Sequence, residues 1–408
     1  MGGQVLAVES KAVTLPRDEV RRFGRAVPWA DSPIVGAELT EPQLDVLARY
    51  VDERLISRSI GDGLALFCYT PKCANERYWT PLTRACRGLV LTFAGQVVAR
   101  PFDKFFNVGE MQETQPGALE IVAKSAGEPL VLEKRDGSLG IVFWDEARAR
   151  WDVCTKGSFA SDQACYARQF LLPKIHLGAL ERGVTYLAEI IYPENRIVVD
   201  YQGGEGLTLL GARRTTGEEL TFAAVADAAG QAGFQLPAWF RLRDVAPRGL
   251  RGHKVFAPNS EGYVLRYPTN PPLRAKLKSP WYVRVHALIS RMRPLAVLEM
   301  ICDGTDEAAI EQLPPGLSEE FRGIRDDLNR RVDALLLDAS TLATDALCAT
   351  TCEGFSALLR PGLRGEFARA MMRMAPSRRD LQAIAWAKVD RKDEKAAARK
   401  ALRKELEA

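Results

Sequence analysis

Histidine and paired cysteine are what this 408-residue chain has least of. The three histidines, His176, His253 and His286, lie far apart, and the eight cysteines are scattered. Cys348 and Cys352 make a C-x3-C in a helical-looking stretch, with no matching His or Cys pair. That spacing speaks against zinc and for buried free thiols in a reducing cytosol. No apolar run reaches the length of a membrane span. The opening MGGQVLAVESKAV lacks the basic–apolar–small order of a secretory signal, and Leu6 stands where the myristoylation pattern asks for a hydroxyl. GxxxxGK[ST] and a strand-to-helix GxGxxG are both missing, so a nucleotide would have to be held by side chains on strands. A strong charge excess is missing too: the net charge is +4, and any surface for nucleic acid must be local.

What is present is ordinary globular material, 47% hydrophobic and 26% charged, long enough for two or three domains. Residues 1–40 show little periodicity and read as a loose N-terminal segment. Between Ala37 and Ile60, the apolar residues Leu44, Val46, Leu47, Val51 and Leu55 recur at helical spacing. From about Gly63 to Arg266 the pattern is mainly β-like, with runs such as GLVLTF, TYLAEIIY and RIVVDY bounded by Gly, Pro and Asp. Helical candidates at Ser161–Phe170 and Phe222–Ala232 interrupt the strands irregularly, which predicts an α+β domain on antiparallel sheet over residues 41–290. An all-helical C-terminal domain is expected over 291–408. There Ser318 reads as an N-cap before Phe321, Ile324, Leu328, Val332 and Leu335. Ser377–Ala408 holds ten Lys/Arg against six Asp/Glu. A solvated, salt-bridged helix accounts for it more simply than RNA binding does.

The stretch VLEKRDGSLGIVFW, Val131–Trp144, reads as strand–turn–strand. A hairpin explains Asp136 and Gly137, because Gly supplies positive φ without steric cost. It gives Lys134 no task. A lysine beside a sharp turn can act as a nucleophile once deprotonated, and neighbouring cations favour that by disfavouring the ammonium. Candidate neighbours lie in LRAKLKS, where period two puts Arg274, Lys276 and Lys278 on one face and Leu273, Ala275 and Leu277 on the other. Three cations in line suit a polyphosphate. Glu189 sits inside the apolar TYLAEIIY, where an unpaired charge is costly, and Glu261 opens EGYVLRY. Strand-borne acids with several lysines are what metal-assisted phosphoryl or nucleotidyl transfer requires.

These residues carry a resemblance. Lys134-Arg135-Asp136-Gly137 matches KxDG, the nucleotide-accepting motif of the covalent nucleotidyltransferases. By composition KxDG arises by chance in about one chain of this size in ten, so its order with the other elements matters more. Glu189 resembles the family's third motif, Glu261-Gly262 the fourth, and Lys276 with Lys278 the fifth. CRGLVL with Arg87, ARPFDKFFNVGE with Lys104, Phe106 and Asn107, TKGS with Lys156, and YPENRIVVDY narrow the likeness. Together they resemble the RNA ligase 1 family of T-even phages, related to the ligase domain of fungal tRNA ligases, over roughly residues 60–290.

The resemblance implies an antiparallel-sheet nucleotidyltransferase domain and a three-step joining of RNA 3′-OH and 5′-phosphate ends with ATP and Mg²⁺ or Mn²⁺. Lys134 would accept AMP. Arg87 and Lys104 would contact phosphate or the RNA end, Lys156 phosphate, and Glu189 the ribose. Glu261 would place the metal through water, with Glu189 beside it. Lys276 and Lys278 would orient the triphosphate, and Phe106 would pack in the nucleotide pocket. Gly137 would leave room for the nucleotide, while Asp136 and Ser138 fix the turn by local hydrogen bonds. Gly262 belongs to the same constellation; Glu133, placed with the nucleotide-binding residues, departs from the commoner small or β-branched neighbour of the lysine, and Arg213 is a secondary candidate for the phosphate or sugar. RNA repair, of tRNA in particular, is the implied setting, in the cytoplasm, with separate end-healing enzymes and no membrane. A DNA ligase or capping enzyme sharing the core is countered by KFFN, by PENRIVVDY and by the lack of an OB-type segment after KLKS. A non-catalytic RNA-end-binding protein with a relict pocket is countered by the presence of every motif residue.

Overall fold

The computed structural model describes residues 31–241, 256–257, 259–348 and, near the C-terminus, 399–400, 402–403 and 406–407. It divides into two compact units, Met1–Lys278 and Ser279–Ala408. The change of character expected at about 290 lies one helix later than this division, because Pro280–Ile289 is the first helix of the second unit.

The first sheet is an antiparallel meander of β1 (Ile56–Gly61), β2 (Leu64–Tyr69), β3 (Arg87–Thr92) and β4 (Val97–Ala99). Helix Glu41–Asp52 packs on it through Val46, Leu47 and Tyr50. Thr40 and Gln43 form a reciprocal cap at its start. The helix is shorter than the 37–60 periodicity suggests, since Leu55 and Ile56 already belong to the sheet core. Of the segment expected to be loose, residues 1–30 lie outside the described residues, and 31–40 are tied down. Ile34 and Leu39 are buried, and Asp31 accepts from the Leu82 N–H at 3.2 Å and from the Tyr50 hydroxyl. Two apolar side chains and a shared carboxylate outweigh the lack of periodicity.

β5 (Phe106–Asn107), β6 (Leu130–Glu133), β11 (Trp239–Arg241), β12 (Gly262–Arg266) and β13 (Arg274–Lys278) form a five-stranded sheet in the order β11-β6-β12-β13-β5. β7 (Ser138–Asp145), β8 (Arg150–Thr155), β9 (Val184–Ile191) and β10 (Gly206–Arg214) form a third sheet in the order β10-β9-β7-β8. Among the described residues every strand pair is antiparallel except β13 with β5, so the expected α+β class holds. β6 and β7, neighbours in sequence, belong to different sheets. The hairpin expected at Lys134–Gly137 is therefore a crossing between sheets. It brings the ends of β6, β12 and β13 against β7, β9 and β10.

Among its described residues the second unit is helical, with Pro294–Asp303, Asp306–Gln312 and Leu317–Cys348 following Pro280–Ile289. Val297, Leu298, Ile301, Ile310, Phe321, Leu328 and Val332 are buried. Ser318 lies inside the first turn and does not cap it; its N–H donates to Pro314. Most of the basic segment 377–408 falls outside the described residues. Of its described cations, Arg403 pairs with Glu299 at 3.0 Å and with Glu407 at 2.9 Å.

Candidate active site

Lys134 is the first residue past β6. Its N–H donates to the Gly262 carbonyl at 2.8 Å, continuing the ladder with β12. Its Nζ donates to Glu261 Oε2 at 2.7 Å, and the other carboxylate oxygen stands 3.4 Å from Lys278 Nζ. The register explains the meeting, because Gly262 on β12 faces Lys278 on β13. Glu261 is buried and shared by two lysines.

Lys276, two residues earlier on β13, has the same facing and forms no ion pair among the described residues. Its ammonium lies 4.8 Å from the Phe105 ring. Burial, with Arg87, Lys104, Lys134 and Lys278 nearby, lowers its pKa to about 6. The cation convergence expected around Lys134 thus weighs most heavily on Lys276. Arg87 stands on β3 with Nη1 buried and without a hydrogen-bond partner. Glu189, on fully buried β9, has its pKa raised to about 7, chiefly by burial, with Lys134 pulling it down and Glu261 pushing it up.

Arg87, Lys134, Glu189 and Lys276 line one cleft of about 640 Å³, counted with its open mouth. Its walls include Leu132, Leu139, Leu210, Pro237 and Val264, and Glu133, Arg135 and Arg274 also face it. Such a site, apolar-walled with convergent cations, accepts a planar group at the wall and a polyanion among the lysines and Arg87.

Other expected residues are placed differently. Gly137 leaves room for β9, because a Cβ there would stand 2.5 Å from the Ile190 carbonyl oxygen. Asp136 makes long-range contacts in place of the expected local ones. Its carboxylate accepts from the N–H groups of Val198 and Val199 at 2.8 and 2.9 Å, and its own N–H donates to Tyr201 Oη at 2.7 Å. Ser138 Oγ bonds Asn195 Oδ1 at 3.1 Å, again outside the turn. Phe106 is fully buried behind the cleft, edge-on to Trp79, and Phe105 is the aromatic that lines it. Lys104 stands over Phe106 and borders an adjoining cavity. Lys156 is exposed, 5.6 Å from the Tyr69 ring. Arg213 does not line the cleft; it is buried, bonding Asp103 and the Pro101 carbonyl at 2.9 Å and the Gly217 carbonyl. Glu133 accepts from Arg135 Nη1 at 3.2 Å.

Phe105, Tyr201, Glu219 and Asn259 were not legible as site residues. Phe105 is the first phenylalanine of KFFN, where either aromatic could face inward. Glu219 pairs with Arg274 at 2.5 Å across more than fifty residues of sequence, a contact without a local signal. Among the described residues, no group of three His, Cys, Asp or Glu could hold a metal. A divalent ion here would have to share Glu189 and Glu261 with oxygens brought by a ligand. Two buried carboxylates, one of them already bridging two cations, suit that kind of shared site.

The fold and cleft define a class first: an α+β domain of antiparallel sheets with a lysine at the junction of two of them. Residues 85–282 match the model of the RNA ligase family. A putative RNA ligase of Thermovibrio ammonificans is 34% identical over 223 residues, covering 52% of this chain and 56% of its own. The RNA ligase of Rhodothermus phage RM378 is 24% identical over 361 residues, 71% of this chain and 80% of its own. RNA ligase 1 of bacteriophage TS2126 is 30% identical over 241 residues, 56% and 58% respectively. The chain thus spans a little over half the length of the first and third of these relatives.

Proposed function

We propose that the protein is an ATP-dependent RNA ligase that joins 3′-OH and 5′-phosphate ends through a lysyl-AMP and an RNA-adenylate. The observation that carries this reading is the meeting of Lys134, Glu261, Lys276, Lys278 and Arg87 within an RNA-ligase-family region. In the first step the Lys134 amine attacks the α-phosphorus of ATP; a P–N bond forms and the bond to the bridging oxygen breaks, releasing pyrophosphate. An RNA 5′-phosphate oxygen then attacks the same phosphorus and breaks the P–N bond. Last, the 3′-OH attacks the activated 5′-phosphate and AMP leaves.

Positioning and charge stabilisation carry most of the rate in such transfers. Lys276, Lys278 and Arg87 neutralise the phosphate oxygens. The unpartnered Arg87 Nη1 gives a buried donor to one of them. Arriving phosphate charge also raises the Lys276 pKa back toward its ordinary value, so Lys276 is a cation when it is needed. Lys134 must shed its proton to act, and its hydrogen bond to Glu261 must open. Glu189 and Glu261 are the groups that would hold Mg²⁺ or Mn²⁺, which when bound supplies further neutralisation of the triphosphate. Phe105 and the apolar wall take the adenine. Lys104 and Lys156 stand farther out, within reach of leaving groups or the RNA. The substrate is cut RNA, tRNA among it, in the cytoplasm, with ends prepared by a separate kinase and phosphatase.

The test is incubation of the full chain with α-labelled ATP and magnesium, followed by a denaturing gel and a chase with 5′-phosphorylated RNA or DNA. Label should enter the protein through an acid-labile bond and pass to RNA. No label on the protein overturns the reading, and transfer to DNA ends alone overturns the choice of substrate.

A further inference from the structure

The loop that follows Glu189 touches both partners of the Lys134–Glu261 pair through their neighbours. On the lysine side, Asp136 is held by three hydrogen bonds, from Val198 N–H, from Val199 N–H and to Tyr201 Oη. The Arg135 guanidinium lies 4.2 Å from the Tyr201 ring, and Ser138 bonds Asn195. Asn195 in turn donates Nδ2 to the Ile190 carbonyl at 2.9 Å, fixing the loop to the end of β9. On the glutamate side, Asn259 stands two residues before Glu261. Its side-chain amide exchanges two hydrogen bonds with the Asp200 backbone: Asp200 N–H donates to Oδ1 at 2.9 Å, and Nδ2 donates to the Asp200 carbonyl at 2.8 Å. Asn259 has φ +56°, a left-handed conformation that Asn tolerates better than most residues. Asp200 and Tyr201 are consecutive, so one stretch of backbone is gripped from both sides.

We infer that the segment Tyr192–Tyr201 is a strap that sets the placement of Lys134 against Glu261, with Tyr201 and Asn259 as positioning residues. The inference deepens the reading of Lys134 as nucleophile and rests on it. The Lys134–Glu261 hydrogen bond has to open for the amine to attack. While it is open, the side chains no longer hold each other, and backbone ties must keep the lysine aimed. The Lys134 N–H bond to Gly262 supplies one tie; the strap supplies the others. It ties the Asp136 and Asn259 sides to the strand carrying Glu189, so three site residues share one frame. Misplacement of a reacting group by about 1 Å costs on the order of a hundredfold in rate.

The test uses Tyr201→Phe, which removes one hydroxyl and keeps the ring under Arg135, Asn259→Gly, which keeps the left-handed backbone and removes both amide bonds, and the double variant. Single-turnover lysyl-AMP formation is followed against ATP concentration and pH. In parallel, the acylation rate of Lys134 by a lysine-selective reagent is read by peptide mass spectrometry without ATP. Each single variant should lose about ten- to a hundredfold in the maximal adenylylation rate with its ATP half-saturation within about twofold. The double should fall little further than the worse single, as a unit does. Lys134 acylation should change severalfold, while other lysines stay as they were. Wild-type rates and unchanged Lys134 acylation in the variants overturn the strap. So does a loss that tracks thermal destabilisation alone. A wild-type chain that forms no lysyl-AMP overturns the catalytic reading instead; Lys134 acylation then still decides whether the strap places the lysine.

Discussion

Two cations stand two residues apart on the same face of β13 and live under opposite rules. Arg274 is buried, and Glu219, equally buried, takes both of its terminal nitrogens at 2.9 and 2.5 Å. Lys276 is also largely shielded, but an aromatic ring and four other cations surround it where a carboxylate would be. The first arrangement satisfies its charge within the fold. The second leaves a cation excess that raises the energy of the ligand-free protein, and a polyanion relieves it. Arg213 with Asp103 repeats the first pattern, and Arg87 repeats the second. For these four cations a private carboxylate marks the scaffold, whereas at the site the one carboxylate, Glu261, is shared between Lys134 and Lys278.

The comparison can be broken most directly at Lys134. Lys134→Ala should abolish label transfer from α-labelled ATP, a loss beyond a thousandfold, while circular dichroism shows the chain still folded. Lys134→Arg should fail equally, because a guanidinium is not deprotonated in the working range. Any lysyl-AMP in either variant assigns the nucleophile elsewhere.

Lys276→Met should lose adenylylation by on the order of a hundredfold, the scale of a lost electrostatic donor, and yet melt higher than wild type without ligand. The sign follows from a folded pKa of about 6 against an ordinary value near 10.5. Between those values the unfolded chain binds more protons, so this lysine makes stability rise with pH. The stabilising effect of Lys276→Met should be greatest at or below pH 6 and fade as pH climbs toward 10. Melting curves across that range check it; an advantage that does not change with pH refutes the assigned charge burden.

Arg274→Met should behave in the opposite way. It strands Glu219, so the fold should lose about 3 to 5 kcal/mol, read by urea unfolding. Adenylylation per folded molecule should fall less than with Lys276→Met. If Arg274 proves the more demanding of the two for catalysis, the division between scaffold and site on β13 is wrong. The smallest effect belongs to the half-exposed Arg84–Glu113 pair, 2.9 Å apart. Glu113→Ala should shift stability by less than about 1 kcal/mol and leave lysyl-AMP formation unchanged.

The sequence by itself determined most of the strands, though not RIVVDY, which is loop, and also the alternation of Arg274, Lys276 and Lys278, the KRDG segment, the helix Phe222–Ala232 and the helical run from Phe321 to Val332. Each rests on periodicity or capping, which act within a few residues. It did not determine what those residues face. VLEKRDGSLGIVFW has the local signature of a hairpin, yet β6 pairs with β11 and β12, and β7 with β8 and β9. Strand partners are chosen by packing far along the chain, and a turn motif carries no record of which sheet each side joins. The same limit hid the second half of the site. Gly137 is a glycine because of the Ile190 carbonyl, and Asp136 is an aspartate facing the N–H groups of Val198 and Val199. Arg213 is engaged by Asp103, while Lys276 is left to its neighbours. Residue type and spacing nominated the cations; only the tertiary structure, by giving Arg274 and Arg213 carboxylates of their own and gathering Lys134, Lys276, Lys278 and Arg87 around the single shared Glu261, decided which of them stand ready for a ligand.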